Sequence, residues 1–360
     1  MKRDVPKIGS GVKAYIARRY GSPNVLSTQD VPQPVPASGE VLVRIYATSV
    51  NSGDVRLRGF DIPTGMRTLA RLALGWSGPR QSIMGTEFAG IIEAVGADVT
   101  RFKIGDRVFG FPGAKMGAHA EFIAMPADGR IAILPDALSF EQGAALSFGG
   151  STALHFLRVV KLQPGESVLV IGATGTVGHA MAHLARHRGA RVSAVTSTNN
   201  LALLDERQFG RVIDYKATPL NSINLGFDII ADCANALNFK SAQRLLKPQG
   251  RYLCVAGTLK AMLRSLLPGR HGTRMIAGPA AEQVEDISIL AELAEQGHFI
   301  PLIDSIYPFL QLPNAHARAQ SKQKRGTVVV VLDHPKVDAD PEPAPADLEY
   351  SPQSAERVSA

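Results

Sequence analysis

Ser167-Val168-Leu169-Val170-Ile171-Gly172-Ala173-Thr174-Gly175-Thr176-Val177-Gly178 is an apolar run that breaks into a glycine-rich loop, and its reading decides the fold. The run predicts a buried strand, and Thr176 to His187 predicts a helix whose first amides have no partner within the helix. Such a helix start is a seat for a pyrophosphate. Gly175 would let a phosphate approach the backbone and Gly178 would let helix and strand pack closely, while Ala173 stands where the usual pattern has its first glycine. Gly189-Ala190 ends the helix and Arg191 to Thr196 is a second β-rich run, which completes a βαβ unit of about thirty residues. The segment therefore reads as a dinucleotide site rather than a strand-loop-helix turn with no ligand.

Upstream of this unit the chain is β-rich. Strands are expected at Val12 to Ala17, Glu40 to Ala47, Phe88 to Val95, Gly105 to Gly110 and Ala120 to Met125, with Pro32-Gln33-Pro34-Val35-Pro36 forbidding helix before the second. From Ser139 the character changes: Phe140 to Leu157 has helical periodicity, and Pro164-Gly165 turns into the glycine-loop strand. Downstream, helices are expected at Leu201 to Phe209, Ala242 to Leu246 and Ile287 to Gln296. Strands are expected at Arg211 to Tyr215, Phe227 to Asp232 and Arg251 to Val255, the last entered by a turn at Lys247-Pro248-Gln249-Gly250. Strands alternating with helices mean a parallel sheet, so the class is α/β with a doubly wound Rossmann sheet. Pro301 to Ile306 and Thr327 to Leu332 read as strands that return to finish the first domain.

At 360 residues and 38.4 kDa, with a mean hydropathy of +0.03, the chain has the length for two domains around ordinary cores. No apolar run approaches the roughly 18 residues of a membrane span. The basic start, Met1 to Lys7, has no apolar segment behind it, so export is not expected. Cys233 and Cys254 make neither a disulfide framework nor a zinc cluster, and a cytoplasmic location follows. The net charge is +7, and the acidic tail from His334 leaves about +11 on the body, but the Lys and Arg are dispersed and nucleic acid is not an expected partner. That tail, 334–360, is Pro- and acid-rich and is expected to be disordered.

The order of parts and the local motifs resemble the medium-chain dehydrogenase/reductase superfamily, in its zinc-independent, quinone-reductase-like branch. The resemblance rests on Ser49 to Gly59 (SVNSGDVRLRG), Gly85 to Gly90 (GTEFAG), Gly105 to Gly110 (GDRVFG), Gly150 to Leu154 (GSTAL), the glycine loop, Val212 to Tyr215 (VIDY) and Leu246 to Tyr252 (LKPQGRY). It spans roughly residues 11 to 332. It implies an N-terminal extension at 1–11, a GroES-like catalytic domain at 12–138 and a Rossmann domain at 139–298. The return to the catalytic domain then occupies 299–333. Zinc-using members carry Cys where this chain has Asn51 and His where it has Thr86, so only Glu87 of that set survives and no metal site is expected.

What the resemblance implies for the site is an NADPH-dependent reductase of quinones, enones or other conjugated carbonyls. Asn51 and Asp54 are its candidate catalytic residues, with Thr152 near the nicotinamide. Gly172, Ala173, Thr174, Gly175, Thr176, Val177 and Gly178 form the phosphate loop, and Ser197, Thr198, Asn199, Tyr215 and Arg325 lie toward the 2′-phosphate. NADPH is favoured over NADH because no acid follows the second strand before Asp205. Members that reduce enoyl groups commonly have a Tyr just after the Asn-x-x-Asp segment; here Arg58-Gly59-Phe60-Asp61 offers none. A non-catalytic NADPH-binding or membrane-associated protein is the alternative.

Other features have bland readings beside sharper ones. His179, His183 and His187 recur every fourth residue and could form a metal stripe, but Val177, Met181, Leu184 and Ala185 supply the apolar face, which puts the histidines on a solvated side. Cys233 and Cys254 read as buried small hydrophobes. Met66 to Trp76 and Leu259 to Leu267 are short, basic and amphipathic; they could lie on a membrane surface, line the cleft, which would make the apolar carbonyl or quinone substrate bulky, or form the contact of a homodimer, the expected oligomer.

Overall fold

The computed structural model describes residues 11–334, apart from 63, 64, 66, 205, 206, 256, 258 and 322. The N-terminal extension up to 10, the tail from 335, Met66 and Asp205 lie outside the described residues. The first lobe opens with the antiparallel pair β1 (Val12–Ala17) and β2 (Leu26–Val31). It continues through β3 (Glu40–Val50), α1 (Ser52–Gly59), α2 (Arg67–Leu74), β4 (Phe88–Val95), β5 (Arg107–Gly110), β6 (Phe122–Pro126) and β7 (Ile131–Ile133). Helices α3 (Phe140–Gly143) and α4 (Ser147–Val159) lead into β8 (Ser167–Ile171), α5 (Thr176–His187), β9 (Arg191–Thr196), β10 (Arg211–Asp214) and β11 (Phe227–Asp232). Then come α6 (Phe239–Ala242), β12 (Leu246–Cys254), α7 (Leu259–Ser265), β13 (Arg274–Ala277) and α8 (Glu285–Glu295). The chain ends in β14 (Ile303–Pro308), α9 (Leu312–Gln320) and β15 (Thr327–Val331).

Six strands make a wholly parallel sheet in the order β10-β9-β8-β11-β12-β13. The chain winds outward from β8 on one side and resumes at β11 on the other. The crevice at their carboxyl ends is thus the switch point where such sheets take ligands. Burial on both faces explains why β8 reads as an unbroken Val-Leu-Val-Ile run. The second sheet is mixed, ordered β14-β15-β3-β4-β5-β7 with β6 also on β3. Its long strand β3 pairs with β6 over Glu40 to Arg44 and with β15 over Ala47 to Val50, so the C-terminal return completes the first lobe. One apolar core joins Ala47, Ala89, Phe109 and Leu134 of this sheet to Phe156, Val170 and Leu290 of the other lobe. Arg130 Nη1 meets Glu282 Oε2 at 2.9 Å across the same junction.

Several elements differ from the sequence expectation. The single helix expected at Phe140 to Leu157 is two, because Ser139 and Gln142 cap each other to close a first turn and the chain restarts at Ser147. The helix expected at Leu201 to Phe209 is replaced by a 3₁₀ stretch, Thr198–Leu203; Leu204 and Phe209 are the buried anchors beyond it, five apart, a spacing no helix puts on one face. The helical turn expected at Ala242 to Leu246 falls earlier, where Asn238 caps Ser241 N, and Leu246 already belongs to β12. Lys247 to Gly250 is then a bulge inside that strand rather than a turn before it, with Gln249 at a φ of 65°. Strands β2, β7 and β13 and helices α1 and α9 have no counterpart in the sequence expectation. His334, assigned to the tail, places Nε2 2.6 Å from Ile45 O and rests against the Tyr46 ring.

The histidines of α5 are not on a solvated side. The return segment Phe299–Ile300 covers that face, so His179 is buried with Nε2 3.0 Å from Ile300 O, and His183 packs on the Phe209 ring. His187 alone is exposed. Burial lowers the pKa of His179 and carries that of His183 down to about 3, so these imidazoles stay neutral. Cys254 is buried and Cys233 half-buried, and burial raises both thiols, leaving neither as a ready thiolate.

Candidate active site

The glycine loop is shaped by Gly172, whose φ of 80° turns the chain out of β8 one residue before the position held by Ala173. Gly178 is required by packing: a Cβ there would lie 2.0 Å from Gly172 O, inside contact distance. Gly175 is the N-cap of α5 and supplies no side chain to the helix start, and the first turn holds no acid. Thr176 faces Gly326 through the parallel bridge that Gly175 makes with it, whereas the amides of Val177 and Gly178 have no acceptor among the described residues. Their dipole-backed N–H groups suit an anion.

Two other helix starts converge on the same region, and both are already occupied. Asn51 caps α1, its Oδ1 accepting from Gly53 N at 2.8 Å and Asp54 N at 3.3 Å, while Asp54 Oδ2 accepts from Asn51 N at 3.0 Å. Asn51 Nδ2 donates to Thr86 Oγ1 at 2.6 Å and to Glu87 Oε2 at 3.2 Å. Glu87 also accepts from Ser49 Oγ and, at 2.6 Å, from Phe148 N in the first turn of α4. Asn51, Asp54 and Glu87 are all buried. Burial pushes the Asp54 carboxyl up to about 7, opposed by the Asn51 N–H and reinforced by the neighbouring Glu87 charge. Glu87 is raised too, again by burial, with its hydrogen bonds pulling the other way.

Helix α4 ties this cluster to the glycine loop. Phe148 N serves Glu87, and the next residue, Gly149, packs so closely that a Cβ on it would lie 2.8 Å from Thr176 O. Thr152 follows one turn later on α4 and is buried. The return segment closes the other side: Gly326 N donates to Thr174 O at 2.8 Å, Thr176 Oγ1 to Gly326 O at 2.8 Å, and Lys324 Nζ to Thr176 Oγ1 at 3.0 Å. Desolvation lowers the Lys324 pKa while Asp304 and Glu87 hold it up. Lys324 went unnoticed in the sequence because 148 residues separate it from the hydroxyl it meets.

At the far end of the loop Thr174 Oγ1 lies 2.9 Å from Thr196 Oγ1, and Asn200 Nδ2 donates to it at 3.4 Å. This brings Ser197, Thr198 and Asn199 beside the loop, and Tyr215 N donates to Thr196 O at 3.0 Å. Asp214 arrives with them: Thr198 Oγ1 donates to Asp214 Oδ2 at 2.7 Å, so a carboxylate stands at the end of β9 although the chain shows none there before Asp205. That hydrogen bond is the first cause of the lowered Asp214 pKa. Arg325 is exposed and its amide is held by Asp304 Oδ1; its side chain makes no bond to Ser197 or Tyr215.

A doubly wound parallel sheet with a free helix N-terminus at its switch point, beside a mixed sheet completed by the chain's return, is the architecture of the two-lobed dehydrogenases and reductases. Residues 37–136 match the alcohol dehydrogenase GroES-like domain and residues 208–330 the zinc-binding dehydrogenase family. A quinone oxidoreductase of Rattus norvegicus is 32% identical over 87% of this chain and 95% of its own. A 2-methylene-furan-3-one reductase of Solanum lycopersicum is 27% identical over 90% of this chain and 80% of its own. The structure of the quinone oxidoreductase from Coxiella burnetii superposes with a TM-score of 0.78 at 26% identity, covering 89% of this chain and 99% of that one. The chain belongs to the medium-chain dehydrogenase/reductase family, in its quinone oxidoreductase-like branch.

One matched family description names zinc, and the residues here do not fit it. Asn51 and Thr86 are spent on each other, and the single carboxylate, Glu87, accepts from Ser49, Asn51 and Phe148. An amide, a hydroxyl and a saturated carboxylate do not amount to three N, S or carboxylate ligands around an open position. A nicotinamide dinucleotide does fit, with the free amides of α5 for its pyrophosphate and Lys324 beside them.

Proposed function

We propose that the chain is an NADPH-dependent, zinc-independent reductase acting on a quinone, an enone or another conjugated carbonyl. The observation that carries this reading is the shared turn of α4, where Phe148 and Gly149 join the hydrogen-bonded Asn51–Asp54–Glu87 cluster to the uncapped start of α5. Relatives named for a quinone and for a methylene-furanone support the acceptor class. When bound, the reduced nicotinamide supplies the hydride.

This chain's residues bind, orient and exclude water. The amides of Val177 and Gly178 with Lys324 hold the pyrophosphate; Thr152 borders the nicotinamide; Ser197, Thr198, Asn199, Tyr215 and Arg325 face the adenosine end and its 2′-phosphate. Asn51 and Asp54, each buried and bonded to the other, act by fixing the start of α1, which makes them positioning residues. No proton-donating Tyr follows Asp54 on α1, where the sequence runs Val55-Arg56-Leu57-Arg58-Gly59 into Phe60, a buried left-handed C-cap. A quinone suits such a site, since the reduced anion is delocalised and solvent can deliver its proton. Free Cys233 and Cys254 accord with a reducing, cytoplasmic compartment.

The test is NADPH oxidation with a panel of quinones and enones, with and without EDTA, beside elemental analysis of untagged protein. Steady turnover that survives chelation, with well under one zinc per chain, is the expected result. Tight NADPH binding with no turnover on any acceptor would replace the enzyme by a non-catalytic binder, and stoichiometric zinc whose removal abolishes turnover would refute the zinc-free assignment.

A further inference from the structure

Eleven Lys and Arg and not one acid occupy residues 62–86 and 233–281. Lys247 and Arg251 are spent on Asp228 and Glu166, and the other nine have no acidic partner among the described residues. The fold brings the two stretches together: a Cβ on Gly65, ahead of α2, would lie 3.5 Å from Leu259 Cδ2 at the start of α7. Neither helix buries a residue. Leu69, Leu72 and Trp76 stand out on one side and Leu263, Leu266 and Leu267 on the other, Leu266 being 78% exposed. Arg264 lies over the Phe239 ring and fastens α7 to α6. Beside α6 opens a cavity of about 400 Å³ whose cationic lining is Lys240, Arg244 and Arg270.

We propose that this face docks on an anionic lipid bilayer. Exposed leucines framed by cations suit one environment, the headgroup boundary, where apolar side chains enter the acyl region and Lys and Arg neutralise lipid phosphates. The cavity beside α6 has the lining to receive such a headgroup. A second copy meeting the same face would bring two sets of cations together, at a cost that an anionic surface does not carry. Nucleic acid would use the charges but leave the leucines in water. The face also borders the candidate site. Strand β12, which leads to α7, ends at Cys254 in register with Asp232, and Asp232 is in register with Ile171, where the glycine loop begins. The docking does not depend on the proposed reaction.

Sedimentation of the full chain with vesicles of phosphatidylcholine alone, and of phosphatidylcholine mixed with phosphatidylglycerol, tests the proposal. Binding to the mixed vesicles only, reversed by salt, is expected. Two double variants, Leu266→Glu with Leu267→Glu and Lys240→Glu with Arg244→Glu, should each weaken it at least about tenfold. Circular dichroism and melting should stay unchanged, because these side chains are exposed. The proposal is overturned by a wild-type chain that ignores anionic vesicles, by variants that bind undiminished, by binding to duplex DNA in place of vesicles, or by a dimer that the leucine variant splits.

Discussion

Replacing Asp54 by Asn should flatten a stability that otherwise falls as pH rises. The wild-type carboxyl is buried and pushed up to about 7, against an ordinary value near 3.8. Between those values the folded protein holds a proton that the unfolded chain has released, so unfolding becomes easier as pH rises from about 4 and levels off above about 7. This is the reverse of a carboxylate whose pKa is depressed by a salt bridge. Roughly three pKa units at 1.36 kcal/mol each give about 4 kcal/mol as the ceiling. Glu87, also raised by burial, adds slope of the same sign. The Asn side chain keeps an acceptor for Asn51 N, but its NH2 would be set against the Gly85 N–H and Thr86 hydroxyl that favour the Asp54 carboxylate, at a cost of about 1–3 kcal/mol. At pH 8 the variant should therefore gain about 1–3 kcal/mol over wild type, and at pH 5 it should be equal or less stable. Urea unfolding from pH 5 to pH 8 reads both. A variant that keeps the wild-type slope, or is less stable at pH 8, refutes the account. Its turnover separates roles: a positioning carboxyl predicts a change within a fewfold, whereas a folded, NADPH-binding variant slowed at least about tenfold, roughly 1.4 kcal/mol, would make the group part of the chemistry.

Gly178→Ala forces a Cβ to within 2.0 Å of Gly172 O, so the helix start must move from the loop; NADPH binding followed by fluorescence should weaken at least about tenfold, and unchanged affinity would count against the loop as the phosphate seat. Lys324→Met removes the one cation held against Thr176 and should raise the NADPH Kd about tenfold or more while melting stays close to wild type; an unchanged Kd removes Lys324 from the pyrophosphate site. NADPH should bind more tightly than NADH, and Asp214→Asn should widen the gap by removing a negative charge beside the proposed 2′-phosphate; equal or tighter NADH binding in the wild type overturns the preference.

The parts of the fold legible in the chain are those with a local cause. Val168 to Ile171 could be read because a strand covered on both faces needs an unbroken apolar run, and Thr176 to His187 because its bounds are set by a glycine loop before and Gly189 after. The misread segments have their cause elsewhere in the molecule. Lys247-Pro248-Gln249-Gly250 carries every mark of a turn, yet Phe227 opposite Leu246 draws it into β12 as a bulge. The His179 face reads as solvated until Ile300, 121 residues away, is laid on it.

The candidate site divides along the same line. The glycine loop stands out because a phosphate turn is written within a few residues, whereas Asn51 and Asp54 stand out only through the family resemblance and the helix cap they form went unread. What the carboxyl of Glu87 does is decided by Ser49, Asn51 and Phe148, the last brought to it only by the break between α3 and α4 that the helical periodicity hid. Charge behaves likewise: counted along the chain the cations are dispersed, and their meaning comes from where acids are absent and from Gly65 meeting Leu259 across nearly 200 residues of sequence. A basic residue on a mixed surface is ordinary solvation. Nine without an acidic partner among the described residues, in two stretches that meet beside exposed leucines, make a field that the proposed anionic surface would neutralise.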